Sequence, residues 1–123
     1  MKKKPKIKWL AKPQKRDYPA AQSYLSLVLQ PEVARTRVEK LKHARAMNFA
    51  AKDIFRASTL PLLGKGNSHV EKYRQLITLK EPLSPLLLCR DAVHGNLIVA
   101  DGYHRLCAVY SFDEDAVIPC RII

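Results

Sequence analysis

Hydrophobic positions change their period several times along this chain, and each change predicts an element. Ala21, Leu25 and Val28 recur at spacings of four and three, with Tyr24 on nearly the same face, which predicts a helix. Asp17-Tyr18-Pro19 opens it with an acid near the positive end of the dipole and a proline in the first turn, and Gln30-Pro31 ends it. Pro31 then starts a second helix, with Ala34, Val38 and Leu41 on one side, Ala44 at the edge of that stripe, and a basic outer face from Arg35 to His43. From Met47 to Leu63 the pattern is ambiguous: Met47-Asn48-Phe49-Ala50 suits a short strand, and Ala51 to Ser58 has helical composition.

The second half is sharper. Gly64-Lys65-Gly66-Asn67 is turn chemistry, and Ser68-His69-Val70-Glu71 has the S-x-x-E form of a capping box, so a helix begins near His69. Val70, Tyr73, Leu76 and Ile77 form its buried stripe, and Lys80-Glu81-Pro82 closes it. Two apolar runs, Leu86 to Cys89 and Leu97 to Ala100, flank a turn at His94-Gly95-Asn96 and predict a hairpin of buried strands. Asp101-Gly102 breaks the second strand. Leu106, Val109 and Tyr110 predict a helix of about two turns, and Val117 to Ile123 a closing β-branched strand. Pro119 fits that strand only where its missing N–H meets an edge or a bulge.

These elements describe an α+β protein: a small mixed sheet with packed helices, built from a basic arm (1–16), a helical pair (17–46) and a domain (47–123) that forms one compact unit with the pair. The 123 residues, 47% hydrophobic and 27% charged, are enough for one packed core and exclude a disordered chain. No apolar run reaches the ~18 residues of a membrane span, and the basic start lacks the apolar segment of a secretory signal, so no membrane association and a cytoplasmic location are expected. Cys89, Cys107 and Cys120 form no CxxC pair and sit in apolar stretches, which predicts buried thiols rather than disulfides or zinc ligands. His43 and His94 have no companion at metal-binding spacing, and no intrinsic metal is expected.

The net charge of +11 is local. The first 16 residues carry eight basic side chains and no acid, so only +3 remains for the other 107. Lys2, Lys3, Lys4, Lys6 and Lys8 can bind phosphate backbones without reading sequence, or can form a solubilising tail.

The candidate chemistry lies at Asp101-Gly102-Tyr103-His104-Arg105. A strand, a glycine turn and a helix aim free backbone N–H groups at one spot, where the helix dipole favours anions. Gly102 permits close approach of a phosphate, Arg105 offers a planar fork, and His104 donates one or two hydrogen bonds. Asp101 can cap the helix, ligate a nucleotide's magnesium or act as a base. His69 and Lys72, three residues apart near a helix start, are further phosphate donors, and Asp53 is the lone acid between Glu39 and Glu71 that could serve as a base.

The string Leu97-Ile98-Val99-Ala100-Asp101-Gly102-Tyr103-His104-Arg105-Leu106, followed by Ile118-Pro119-Cys120-Arg121-Ile122, resembles the ParB/sulfiredoxin-like superfamily, in which a strand leads into a G-x-x-R turn, a helix and an "I-P" strand. Val70 to Ile77 and Leu83-Ser84-Pro85-Leu86-Leu87-Leu88 are similar to the family's earlier helix and strand, so the likeness spans about 47–123 and leaves out the two amino-terminal helices. The resemblance implies that helix amino termini share a nucleotide's phosphates, with ATP or another NTP and magnesium as the expected ligand and Gly102, Tyr103, His104 and Arg105 around it. His69 takes the place of the lysine that precedes a helical valine in sulfiredoxins. The likeness departs at Tyr103, which replaces the cysteine of the sulfiredoxin G-C-H-R motif; a phenol cannot stand in for that thiolate, so sulfiredoxin activity is not expected. The partition proteins' G-E-R-R is also missing, while the D-G-H-T-R of the family's free-serine kinases matches at Asp101, Gly102 and Arg105. Phosphotransfer or nucleotide hydrolysis, on an unassigned acceptor, is the activity this implies. A non-catalytic nucleic-acid-binding module using the basic arm is the alternative.

Overall fold

The computed structural model describes residues 4–123, and its elements follow the periodicity closely. Helices α1 (Asp17–Val28) and α2 (Pro31–Lys42) lead into strand β1 (Ala46–Ala50) and helix α3 (Ala51–Ser58); α4 (Ser68–Thr78) precedes the hairpin β2 (Leu86–Asp91) and β3 (Asn96–Asp101), and α5 (Tyr103–Phe112) precedes β4 (Val117–Ile122). The four strands form one mixed sheet in the order β1-β4-β2-β3, with β4 parallel to β2 and the other two pairings antiparallel. The protein is thus α+β. No helix among the described residues is long and apolar enough to cross a membrane.

The sheet is covered on both faces, which is why β2 reads as an unbroken apolar run. Leu87, Cys89 and Ala100 point at α1 and α2 and meet Ala21, Leu25, Ala34, Val38 and Leu41. Leu86, Leu88, Val99, Ile118 and Cys120 point to the other side, into the core with Ile54, Val70, Ile77 and Leu106 of α3, α4 and α5. The alternation of side chains along a strand assigns neighbouring leucines of β2 to different cores. All three cysteines are free and buried, and burial pushes the Cys89 and Cys120 thiols up to about 11 and about 12.

Several expectations are corrected. Val28 is 50% exposed, so the apolar anchoring of α1 rests on the buried Ala21 and Leu25, with Tyr18 packed beside them. The cap of α4 is Asn67, not Ser68: its side chain accepts from the backbone N–H groups of His69 and Val70, so the S-x-x-E box is displaced by a better acceptor one residue earlier. The helix α5 has ten residues, nearly three turns.

Pro119 stands in an interior strand, between β1 and β2, rather than at an edge. Ile123 donates to the Leu88 carbonyl and accepts from the Arg90 N–H, which fixes the phase of the parallel ladder. Stepping that ladder back four residues, the N–H that proline lacks would have reached the carbonyl of Ser84. Arg105 supplies the donor instead: its Nε bonds the Ser84 carbonyl at 3.0 Å.

The basic arm is laid against the body. Leu10 donates to the Leu83 carbonyl, Leu83 donates to the Lys8 carbonyl, and Trp9 bridges Leu83 in parallel, just before β2. Ile7 and Trp9 pack on the core while Lys6 and Lys8 face solvent, and Lys4 reaches Asp113 at 3.1 Å. Lys2 and Lys3 lie outside the described residues.

Candidate phosphate site at the junction of two helix starts

The loop from Asp101 to Arg105 leaves the end of β3 and enters α5 through Gly102, whose φ of +108° is open to glycine and strained for other residues. A Cβ there would stand 2.8 Å from Leu86 Cγ and 2.9 Å from an Arg105 guanidinium nitrogen. The glycine is therefore required by packing inside the protein. Gly102 is itself the N-cap residue and makes no side-chain cap, so Asp101 does not cap α5.

Asp101 and Arg105 face each other instead. The Arg105 Nη2 donates to Asp101 Oδ2 at 3.0 Å and to the Pro85 carbonyl at 3.2 Å, in addition to the Nε bond to Ser84. Arg105 is only 6% exposed. Its fork is turned into the protein, where it joins the start of α5 to the segment that leads into β2. Burial raises the Asp101 carboxyl above the ordinary range, and the Arg105 charge opposes that shift. Beside them Asp17, also buried, accepts from the Gln14 N–H at 2.9 Å and from the Ser84 hydroxyl, tying the arm and α1 to the same segment.

Tyr103 and His104 point elsewhere. The Tyr103 phenol donates to the Pro61 carbonyl, and burial, with a smaller effect from Cys107, raises its pKa and keeps that proton in place. His104 meets His69: the ring centroids are 4.9 Å apart, and Tyr103 stands 5.6 Å from His104. His69 lies in the first turn of α4 and His104 in the first turn of α5. The two helices pack along their length, with the Arg74 guanidinium 4.1 Å over the Phe112 ring and a hydrogen bond from Arg74 to Ser111. Two positive helix ends thus present two imidazoles side by side. Burial lowers the His104 pKa below the usual 6.5, and the neighbouring His69 lowers it further. Lys72, one turn beyond His69 on α4, is exposed.

The structure brings Gly102, Tyr103, His104 and His69 together and leaves Asp53 apart. Asp53 lines a cavity with Arg90, Asn96 and Leu97, at the far end of β3 from Asp101. The six residues of β3 span roughly 17 Å at ~3.3 Å per residue, too far for Asp53 to take a proton at His104. No group of three or more metal-ligating side chains occurs among the described residues.

The sequence predicts His69 and His104 as donors to one phosphate site, and the structure adds the contact between their rings; the inward role of Arg105 was not predicted. Comparisons with protein-family models, with curated proteins and with solved structures find no match to this chain.

Proposed function

We propose that this chain is a ParB/sulfiredoxin-like domain that binds the phosphates of a nucleotide where the amino termini of α4 and α5 meet. One observation carries the reading: His69 and His104, from separate helix starts, stand with their rings 4.9 Å apart. Each imidazole supplies at least one N–H, the start of α5, which has no side-chain cap, supplies backbone N–H groups, while those of His69 and Val70 are taken by Asn67, and an anion between the rings relieves the electrostatic cost of two adjacent imidazoles gaining protons. Lys72 adds a mobile cation from the exposed face of α4. Arg105 serves the site as a positioning residue that fixes the α5 turn from behind.

A nucleoside triphosphate with magnesium is the ligand class this reading favours. Asp101 is engaged by Arg105 through Oδ2, and the metal of such a ligand would rest on the nucleotide's own oxygens. For phosphotransfer or hydrolysis, His104 is the group whose lowered pKa keeps a lone pair available for a proton near neutral pH. Tyr103, bonded to Pro61, acts in shaping the loop.

Thermal shift with ATP, CTP and GTP, each with magnesium, tests the reading on wild type, on His69→Ala and on His104→Ala. A ligand at ~100 times its dissociation constant adds roughly 2.7 kcal/mol of stability. That gain should fall in each variant. Equal stabilisation of wild type and both variants, or none with any nucleotide, would count against the site.

A second reading, nucleic-acid binding through the arm, draws on Lys6 and Lys8, held facing outward from a segment fixed to the body. Under that reading Lys6→Gln with Lys8→Gln weakens DNA binding uniformly across sequences and lowers its salt dependence by about one unit of slope per lost phosphate contact. An unchanged salt slope would exclude it.

A further inference from the structure

A cavity of about 440 Å³ opens between α3 and the sheet, at the end of β3 remote from the paired histidines. Its floor is made by Leu88, Leu97 and Ile122 from three adjacent strands, with Ile54 of α3 as one wall. Leu88 pairs with Ile122 on one side and precedes Arg90, the partner of Leu97, on the other. Further along the same sheet face Val99 and Cys120 are sealed under the helices at 6% and 1% exposure, whereas Leu97 and Ile122 are only half-buried. The apolar face of the sheet therefore extends beyond the cover that the eight-residue α3 provides.

The charged groups around this cavity are not equivalent. Asp91 holds His94 at 2.7 Å, and Asp53 has Arg56 within 4.0 Å. Arg90, two residues after Leu88 and so on the same face of β2, makes no ion pair and no side-chain hydrogen bond among the described residues. The cavity thus combines an apolar floor, a volume in the range of small-molecule sites, and one unengaged guanidinium at its margin.

We propose that this cavity binds a small monocarboxylate with a branched aliphatic or aromatic body, the body on Leu88, Leu97 and Ile122 and the carboxylate on Arg90. A guanidinium takes a carboxylate through two parallel hydrogen bonds. Asp53 and Asp91 at the margin oppose ligands of higher charge, which separates this ligand class from the phosphates at the other end of the sheet. The inference does not rest on the phosphate site, and either can fail alone.

The test is an NMR titration of the full chain with 4-methylpentanoate and with its primary amide, following the methyl groups of Leu88, Leu97 and Ile122. The acid should shift them saturably, and the amide should bind about tenfold more weakly, the difference between a charge-assisted and a neutral hydrogen bond. Arg90→Gln should retain the fold and bind acid and amide alike. Leu97→Trp should fill the cavity and abolish binding of both, with its melting temperature reporting that the sheet is intact. Absence of saturable shifts, equal affinity of acid and amide for wild type, an acid preference surviving in Arg90→Gln, or binding surviving in folded Leu97→Trp would each overturn the proposal.

Discussion

Arg105 makes three hydrogen bonds into the protein, to Ser84, Pro85 and Asp101, and replaces the ladder donor that Pro119 cannot provide. Arg105→Ala should therefore cost about 3 kcal/mol in a urea titration, because it leaves a half-buried carboxylate and two carbonyls without the donors Arg105 gives them. Arg105→Lys should recover only part of that loss, since an ammonium cannot reproduce the fork. If Arg105→Ala keeps wild-type stability, the inward role assigned here is wrong. His104 gives a prediction of a different kind. Its lowered pKa favours the neutral ring in the folded state, so its contribution to stability is present above pH 6.5 and is lost as pH falls through the lowered value. An anion between the imidazoles stabilises the charged ring. The NMR midpoint of His104 should lie below 6.5 in the free protein and rise with phosphate, and phosphate affinity should grow as pH falls. A midpoint unmoved by phosphate would contradict the pairing with an anion. At this scale the D-G-x-H-R string marked the junction of β3 and α5 but not the direction of its side chains. The orientation of Arg105 depends on a carbonyl at Ser84 that a distant proline leaves unpaired, and no local pattern contains that information.

The elements themselves were legible because their causes are local. Apolar spacing, prolines and glycine turns define where helices and strands run, and the structure follows them within a residue or two. Caps are less secure, because competing acceptors sit side by side. Asn67 caps α4 although Ser68 begins the capping-box string, so Asn67→Ala should cost about 1 kcal/mol while Ser68→Ala is close to neutral in thermal unfolding. The reverse ranking would restore the serine box. The arm shows a second limit. Its lysines dominate the composition, yet the alternation of Ile7 and Trp9 with Lys6 and Lys8 lays one side on the core. Trp9→Ala should destabilise the fold by about 2 kcal/mol, below the range for a fully buried tryptophan since Trp9 is only partly buried. A wild-type unfolding midpoint for that variant would return the arm to a detached tail.

At the scale of the whole molecule, three layers divide the work. α1 and α2 cover one face of the sheet, α3, α4 and α5 the other, and the sequence elements alone did not assign those faces or the strand order, since both depend on contacts between residues far apart in the chain. The same topology places the candidate phosphate site and the Arg90 cavity at opposite ends of β3, which removes Asp53 from any role at His104. The central claim is that a nucleotide's phosphates lie between the starts of α4 and α5. An amide NMR titration with magnesium nucleotides tests it most directly. Saturable shifts should concentrate at His69, Val70, Tyr103 and His104 and weaken in the His69→Ala, His104→Ala double variant. Shifts confined to the arm, or no saturable shift with any nucleotide, would contradict the account.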